Sequence, residues 1–70
     1  MKRSPVESSS IASVGYDRAT STLEVEFISG ETYAYHDVPE DLYHRFITAE
    51  SKGRFVNYEI KPNYNFTKRT

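Results

Sequence analysis

Thr22-Leu23-Glu24-Val25-Glu26-Phe27-Ile28-Ser29-Gly30-Glu31-Thr32-Tyr33-Ala34-Tyr35-His36 is the stretch whose reading decides the fold. Leu23, Val25 and Phe27 alternate with Glu24 and Glu26, a period of two that specifies a strand with one buried and one wet face. Ser29-Gly30 marks a hairpin turn, and Thr32 to His36 forms the returning strand. A two-residue loop, Ser29-Gly30, pairs Phe27 with Thr32 and Val25 with Ala34, which sends Tyr33 and Tyr35 to the glutamate face. A three-residue loop, Ile28-Ser29-Gly30, pairs Val25 with Tyr33 and Leu23 with Tyr35, which sends both rings to the apolar face. A slip of one residue exchanges the two outcomes. The second register is preferred, because it gives Gly30 the positive φ of a G1 bulge and sets aromatic rings beside aliphatic ones.

Upstream, Ser10 to Asp17 reads as a first strand. Ile11 and Val14 have opposite parity, which a bulge near Ser13 or Gly15 reconciles. Asp17 to Ser21 is turn chemistry. Residues 1–8 are polar, with a proline and several serines, and are expected to be a disordered lead-in. Downstream, Asp37-Val38-Pro39-Glu40-Asp41 opens a helix, with Pro39 suited to its first position and two carboxylates at its positive end. Leu42, Tyr43, Phe46 and Ile47 make its apolar stripe. Ser51 caps a second helix over about 52–60, which Gly53 weakens by about 1 kcal/mol relative to Ala and Pro62 ends. The expected fold is α+β: a three-stranded antiparallel β-meander followed by two short helices packed on one face. Residues 9–64 form the single domain, and 65–70 form a basic, aromatic tail, read as a fourth strand or a free arm. The expected core is Leu23, Val25, Phe27, Leu42, Phe46, Ile47, Phe55, Val56 and Ile60.

The chain has 70 residues and no cysteine. Disulfides and thiolate zinc sites are therefore excluded, and a cytoplasmic location is expected. No apolar run approaches the ~20 residues of a membrane span, and the N-terminus lacks the apolar stretch of a signal peptide. His36 and His44 are too few and too far apart in type of element to suggest a metal site. No nucleophile elbow or phosphate loop occurs, so no catalytic residue, cofactor or metal is expected. Asp37, Glu40 and Asp41 sit where a helix N-terminus attracts carboxylates.

Taken in order, Ser9-Ser10-Ile11, Val14-Gly15-Tyr16-Asp17, Leu23-x-Val25-x-Phe27, Gly30-x-x-Tyr33-x-Tyr35, Val38-Pro39, Tyr43 and Ala49-x-Ser51-x-Gly53-x-Phe55-x-Asn57 resemble the KTSC domain family. That family occurs as free-standing bacterial proteins and at the C-terminus of some lysyl-tRNA synthetases. The resemblance covers about residues 8–64 and includes its Tyr-x-Tyr hallmark. It implies a function not yet assigned, with RNA binding suggested by the synthetase association. An Ile-Arg pair is expected ahead of the final tyrosine; here Ile60 is followed by Lys61, which keeps the charge but not the planar fork.

Net charge is −1 but unevenly spread. Residues 1–44 carry −5 and residues 45–70 carry +4. The bland reading is that the halves attract each other within the fold. The sharper one is a nucleic-acid surface in the second half, where Lys52, Arg54, Lys61, Lys68 and Arg69 would follow phosphates and Tyr64 or Phe66 would stack on bases of single-stranded RNA. The leading expectation is a non-catalytic binding module that contacts a protein partner, or itself, through a sheet edge.

Overall fold

The computed structural model describes residues 3–6 and 8–69, the side chains of Arg3 and Ser4 excepted. Strands β1 (Arg3–Pro5), β2 (Ile11–Asp17), β3 (Thr22–Phe27) and β4 (Thr32–Tyr35) lead into helix α1 (Glu40–Ile47). Helix α2 (Lys52–Phe55) runs on through a π-helical turn, Val56–Ile60, before β5 (Phe66–Lys68). The strands form one antiparallel sheet in the order β1-β2-β3-β4-β5. The fold is thus α+β, an antiparallel meander with two short helices packed together.

Gly30 takes φ = 100°. Its N–H donates to the Phe27 carbonyl (2.9 Å), and the Phe27 N–H donates to the Glu31 carbonyl (2.8 Å). That closes the three-residue loop and sets Val25 opposite Tyr33 and Leu23 opposite Tyr35. The preferred register therefore holds. The expected irregularity of β2 is also present, as a shift in its pairing with β3 between Ile11 and Ser13. It lets Ile11 and Val14 both reach the core despite their parity.

Three strands were expected, with the tail read as a fourth strand or a free arm; among the described residues there are five. Of the expected lead-in, residues 1, 2 and 7 lie outside the described residues, but Arg3–Pro5 pairs with Ser13–Gly15 as β1. Its sequence carries no apolar alternation, so backbone hydrogen bonds to an already ordered strand are what place it. In the tail, where residue 70 lies outside the described residues, Phe66–Lys68 pairs with Tyr33–Tyr35 as β5.

The core is Ile11, Val14, Leu23, Val25, Tyr35, Val38, Leu42, Phe46, Val56 and Ile60. Phe27, Ile47 and Phe55, expected inside, are half-buried against it, whereas Ile11, Val14, Tyr35 and Val38 join it. The two tyrosines of the motif divide: Tyr35 is 1% exposed, while Tyr33 sits at the rim. Tyr16 stacks on Tyr43 at 4.6 Å and donates its hydroxyl to the Val38 carbonyl, tying β2 to the start of α1. Pro39 is the N-cap of α1, one position earlier than expected. The Ser51 hydroxyl accepts from the Arg54 N–H at the start of α2, as expected of a cap (3.4 Å). A Cβ on Gly53 would lie 3.0 Å from the Ser10 hydroxyl oxygen. Glycine there lets α2 lie close to the start of β2, which offsets its poor helix propensity. In the turn after α2 the Lys61 N–H donates to the Val56 carbonyl (2.8 Å), an i→i+5 bond. This wider turn keeps Val56 and Ile60 both fully buried.

Phe46 is fully buried and its ring lies 5.7 Å from that of Phe55, joining the two helices. Phe46→Ala is expected to cost about 3–5 kcal/mol, a large share of the stability of so small a domain, measured by urea denaturation. Burial, with the Tyr33 phenol beside it, pushes the Tyr35 phenol from 10.0 up to about 12. The folded state favours the neutral phenol. Its support is therefore complete below pH 10.0 and lost as pH rises through about 12. A phenolate absorbance titration should show one late tyrosine coincident with alkaline unfolding, and Tyr35→Phe should remove that late step.

Candidate functional site

The helices cover the middle of the sheet's apolar face and leave its β4–β5 end as an aromatic rim. Phe27 meets Tyr33 edge to face at 5.6 Å, and Tyr33 meets Phe66 at 5.1 Å with planes 88° apart. Phe66 also lies 5.9 Å from Tyr35 and is 55% exposed. These edge-to-face contacts are the favoured geometry of aromatic pairs. Lys61, just beyond the π-helical turn, holds its ammonium 5.4 Å from the Phe27 ring. It stands between two open clefts. One is bordered by Ser10, Phe27, Ile28, Glu31 and Tyr33, the other by Asn63, Tyr64, Asn65 and Phe66.

Of the seven residues expected to form a nucleic-acid surface, Lys61, Tyr64, Phe66 and Lys68 gather around this rim. Tyr64 is half-buried against the core rather than free to stack. Lys68, opposite Tyr33 in the ladder, pairs with Glu31 at 3.0 Å. Arg69 continues β5 with opposite parity to Phe66 and Lys68, and its N–H donates to the Thr32 carbonyl (2.7 Å). Lys52 and Arg54 line a different cleft, with Ser8, Ser9, Ser10 and Glu50. The Lys52 ammonium there donates to the Ala49 carbonyl (3.2 Å). The basic residues thus divide between two places, with Glu31 and Glu50 among them.

Sequence reasoning left the tail open between a fourth strand and a free arm, and did not read the hydrogen-bond phase of β5. The His36 N–H donates to the Asn65 carbonyl (2.8 Å) and the Arg69 N–H to Thr32. In this register Asn65, Thr67 and Arg69 turn their peptide groups toward β4, and Phe66 and Lys68 turn theirs outward. At the other edge the Val6 N–H donates to the Ala12 carbonyl (3.3 Å). That phase turns Pro5, which has no N–H, outward. The sheet therefore has one edge blunted by proline and one open. The parity of Phe66 and Lys68 after Pro62 was the signal available for β5. Among the described residues no group of three or more His, Cys, Asp or Glu could hold a metal, and no helix is long and apolar enough to cross a membrane.

The Lys68 ammonium, then the Tyr33 hydroxyl (3.1 Å), hold the Glu31 carboxyl below its ordinary value, and Glu31 in turn raises Lys68. Both groups are exposed to solvent, so the pair marks geometry more than stability. Because the Glu31 pKa is depressed in the folded state, what the pair contributes is present above the ordinary carboxylate range and disappears as pH falls through the folded value. Side-chain NMR titration should find Glu31 protonating below its ordinary value, and Lys68→Ala should move it back up.

Several known proteins resemble this chain in sequence, and a solved structure resembles it in fold. The chain is 47% identical over 60 residues to a protein of Tsukamurella paurometabola, covering 86% of this chain and 90% of that one. It is 38% identical over 60 residues to a lysine–tRNA ligase of Nostoc punctiforme, in which the match covers 86% of this chain and 11% of the ligase. The crystal structure of a KTSC domain protein from Yersinia pestis superposes with a TM-score of 0.92 at 43% identity, covering 99% of this chain and 97% of that one. The family model for the KTSC domain matches residues 7–64, from before β2 to past the π-helical turn. With the sequence match spanning both the Tyr33–Tyr35 hairpin and the helices that cover it, the chain belongs to the KTSC domain family, small non-catalytic domains found both free-standing and fused to lysyl-tRNA synthetases.

Proposed function

We propose that this domain is a strand-accepting interaction module acting in the cytoplasm, and that its working surface is the open edge of β5 with the aromatic rim beside it. The observation that carries this reading is the outward set of the Phe66 and Lys68 peptide groups next to an exposed Phe66 ring. An extended segment laid along β5 would gain four backbone hydrogen bonds. At about 1 kcal/mol each they contribute about 4 kcal/mol, which corresponds to a Kd of about 1 mM at best. Useful affinity therefore requires the segment to cover Phe66 as well, which is 55% exposed beside the edge. The absence of cysteine fits the reducing compartment.

A second reading, single-stranded RNA binding, is favoured by one observation: relatives of 35–38% identity form part of lysine–tRNA ligases. Lys61 and Phe66 would be its contacts, with Tyr64, Lys68 and Arg69 beside them. Against it, Lys68 already serves Glu31, and Lys52 and Arg54 lie in another cleft.

Salt separates the two, because phosphate contacts weaken steeply as salt rises and backbone pairing does not. A displayed library of extended peptides, screened against the full chain, should yield binders that slow amide exchange at Phe66 and Lys68 and tolerate added salt. Phe66→Ala should weaken them at least tenfold. A mixed pool of short RNAs that shifts Lys61 and Phe66 resonances at low salt only, with no peptide binder found, would decide for the second reading.

A further inference from the structure

We propose that the β5 edge takes a second copy of this chain, paired antiparallel about a two-fold axis through Thr67; this rests on the strand-accepting reading above. The edge is short, and its outward groups belong to Phe66 and Lys68 alone, two residues apart within β5. An axis at Thr67 sets Phe66 opposite Lys68 of the second copy and Lys68 opposite its Phe66. Each of these pairs exchanges two N–H···O=C bonds, so every outward group of β5 on both copies is used. A register shifted by one residue points the outward groups at a peptide whose own groups face β4. A shift of two residues leaves a single fully bonded pair within β5, and in one direction sets Lys68 directly against Lys68.

The side chains suit the same axis. On the aromatic face, the two half-exposed Phe66 rings become diagonal neighbours across the junction, within reach of each other. Each ring also lies beside the lysine stem of the facing residue, where an ammonium can sit over it. The two Lys68 side chains are diagonal as well, and each arrives already neutralised by its own Glu31 at 3.0 Å. On the opposite face the two Thr67 residues meet on the axis as a non-hydrogen-bonded pair, the closer of the two spacings in an antiparallel ladder. Each Thr67 hydroxyl is held by His36 Nε2 at 2.8 Å. A net charge of −1 opposes the association weakly.

The other edge decides the size of the assembly. Pro5 turns a ring outward where a donor would be required, so β1 cannot extend the sheet in the same way. One open edge per chain closes the assembly at two and yields a continuous ten-stranded sheet. A second copy also presents a strand that is already ordered, which spares the entropy a free peptide loses on binding.

Sedimentation of the full chain from low micromolar to about 1 mM is the test, that range bracketing the affinity four backbone bonds and two aromatic rings provide. The apparent mass is expected to rise from one chain to two. Lys68→Pro and Phe66→Pro, which remove outward donors and leave the ladder to β4 intact, should each stay at one chain with unchanged circular dichroism. Independently of any variant, a mixture of isotope-labelled and unlabelled wild-type chains should give an intermolecular Thr67 Hα–Hα cross-peak. Wild-type protein that remains one chain while displayed peptides still protect the Phe66 and Lys68 amides overturns the dimer and leaves the edge reading standing. A dimer that persists in both proline variants and lacks the Thr67 cross-peak overturns the dimer as drawn and places association on another surface.

Discussion

If the β3–β4 hairpin slipped by one residue, Tyr33 and Tyr35 would share a face with Glu24 and Glu26, and Ala34 and His36 would replace them over Val25 and Leu23. The core would lose its largest fully buried side chain, Tyr35. The observed register is closed by backbone geometry at one position. Gly30 at φ = 100° admits the three-residue loop, a conformation that costs a residue with a Cβ roughly 1–2 kcal/mol. From that register follow the burial of Tyr35, the rim position of Tyr33 and the alignment of β4. The phase of β4 in turn dictates which peptide groups of β5 face outward. The candidate surface is therefore a remote product of one glycine.

Much of this was legible because the hairpin and the helices carry periodic apolar patterns. Leu23, Val25, Leu42 and Phe46 all lie where their spacing puts them. The parity conflict between Ile11 and Val14 announced the bulge in β2. The outer strands were harder to see for a physical reason. β1 is Arg-Ser-Pro, which no hydrophobic pattern marks, and β5 is an exposed three-residue strand. Both take their place through ladder bonds to neighbours, which are blind to side-chain type, and β5 adds the contacts of Phe66 and Lys68. The open edge is a property of hydrogen-bond phase, which residue identity does not encode except at proline.

Charge was misleading in a related way. The acidic first half and basic second half do not become two opposed surfaces, because the meander returns β5 alongside β4. Lys68 then meets Glu31, and the contrast visible along the chain is partly cancelled in space. Arg18, by contrast, meets Glu40 at 2.7 Å within the acidic half itself. The seven residues expected to act together are parted by the turn between α2 and β5: four collect at the aromatic rim, and Lys52 and Arg54 stay with the serines before β2.

The placement of β5 has a kinetic side. Tyr35 pairs with Phe66, 31 positions later, and both helices lie in the intervening loop. Closing so long a loop costs more entropy than closing the β2–β3 and β3–β4 hairpins, so β5 is expected to dock later than they form. An exposed three-residue edge strand is also expected to open at a lower free energy than the core strands. Were β5 to open, the peptide groups of Ala34 and His36 that it covers would form the sheet edge. A partner that arrived during such an opening would meet β4 in place of β5.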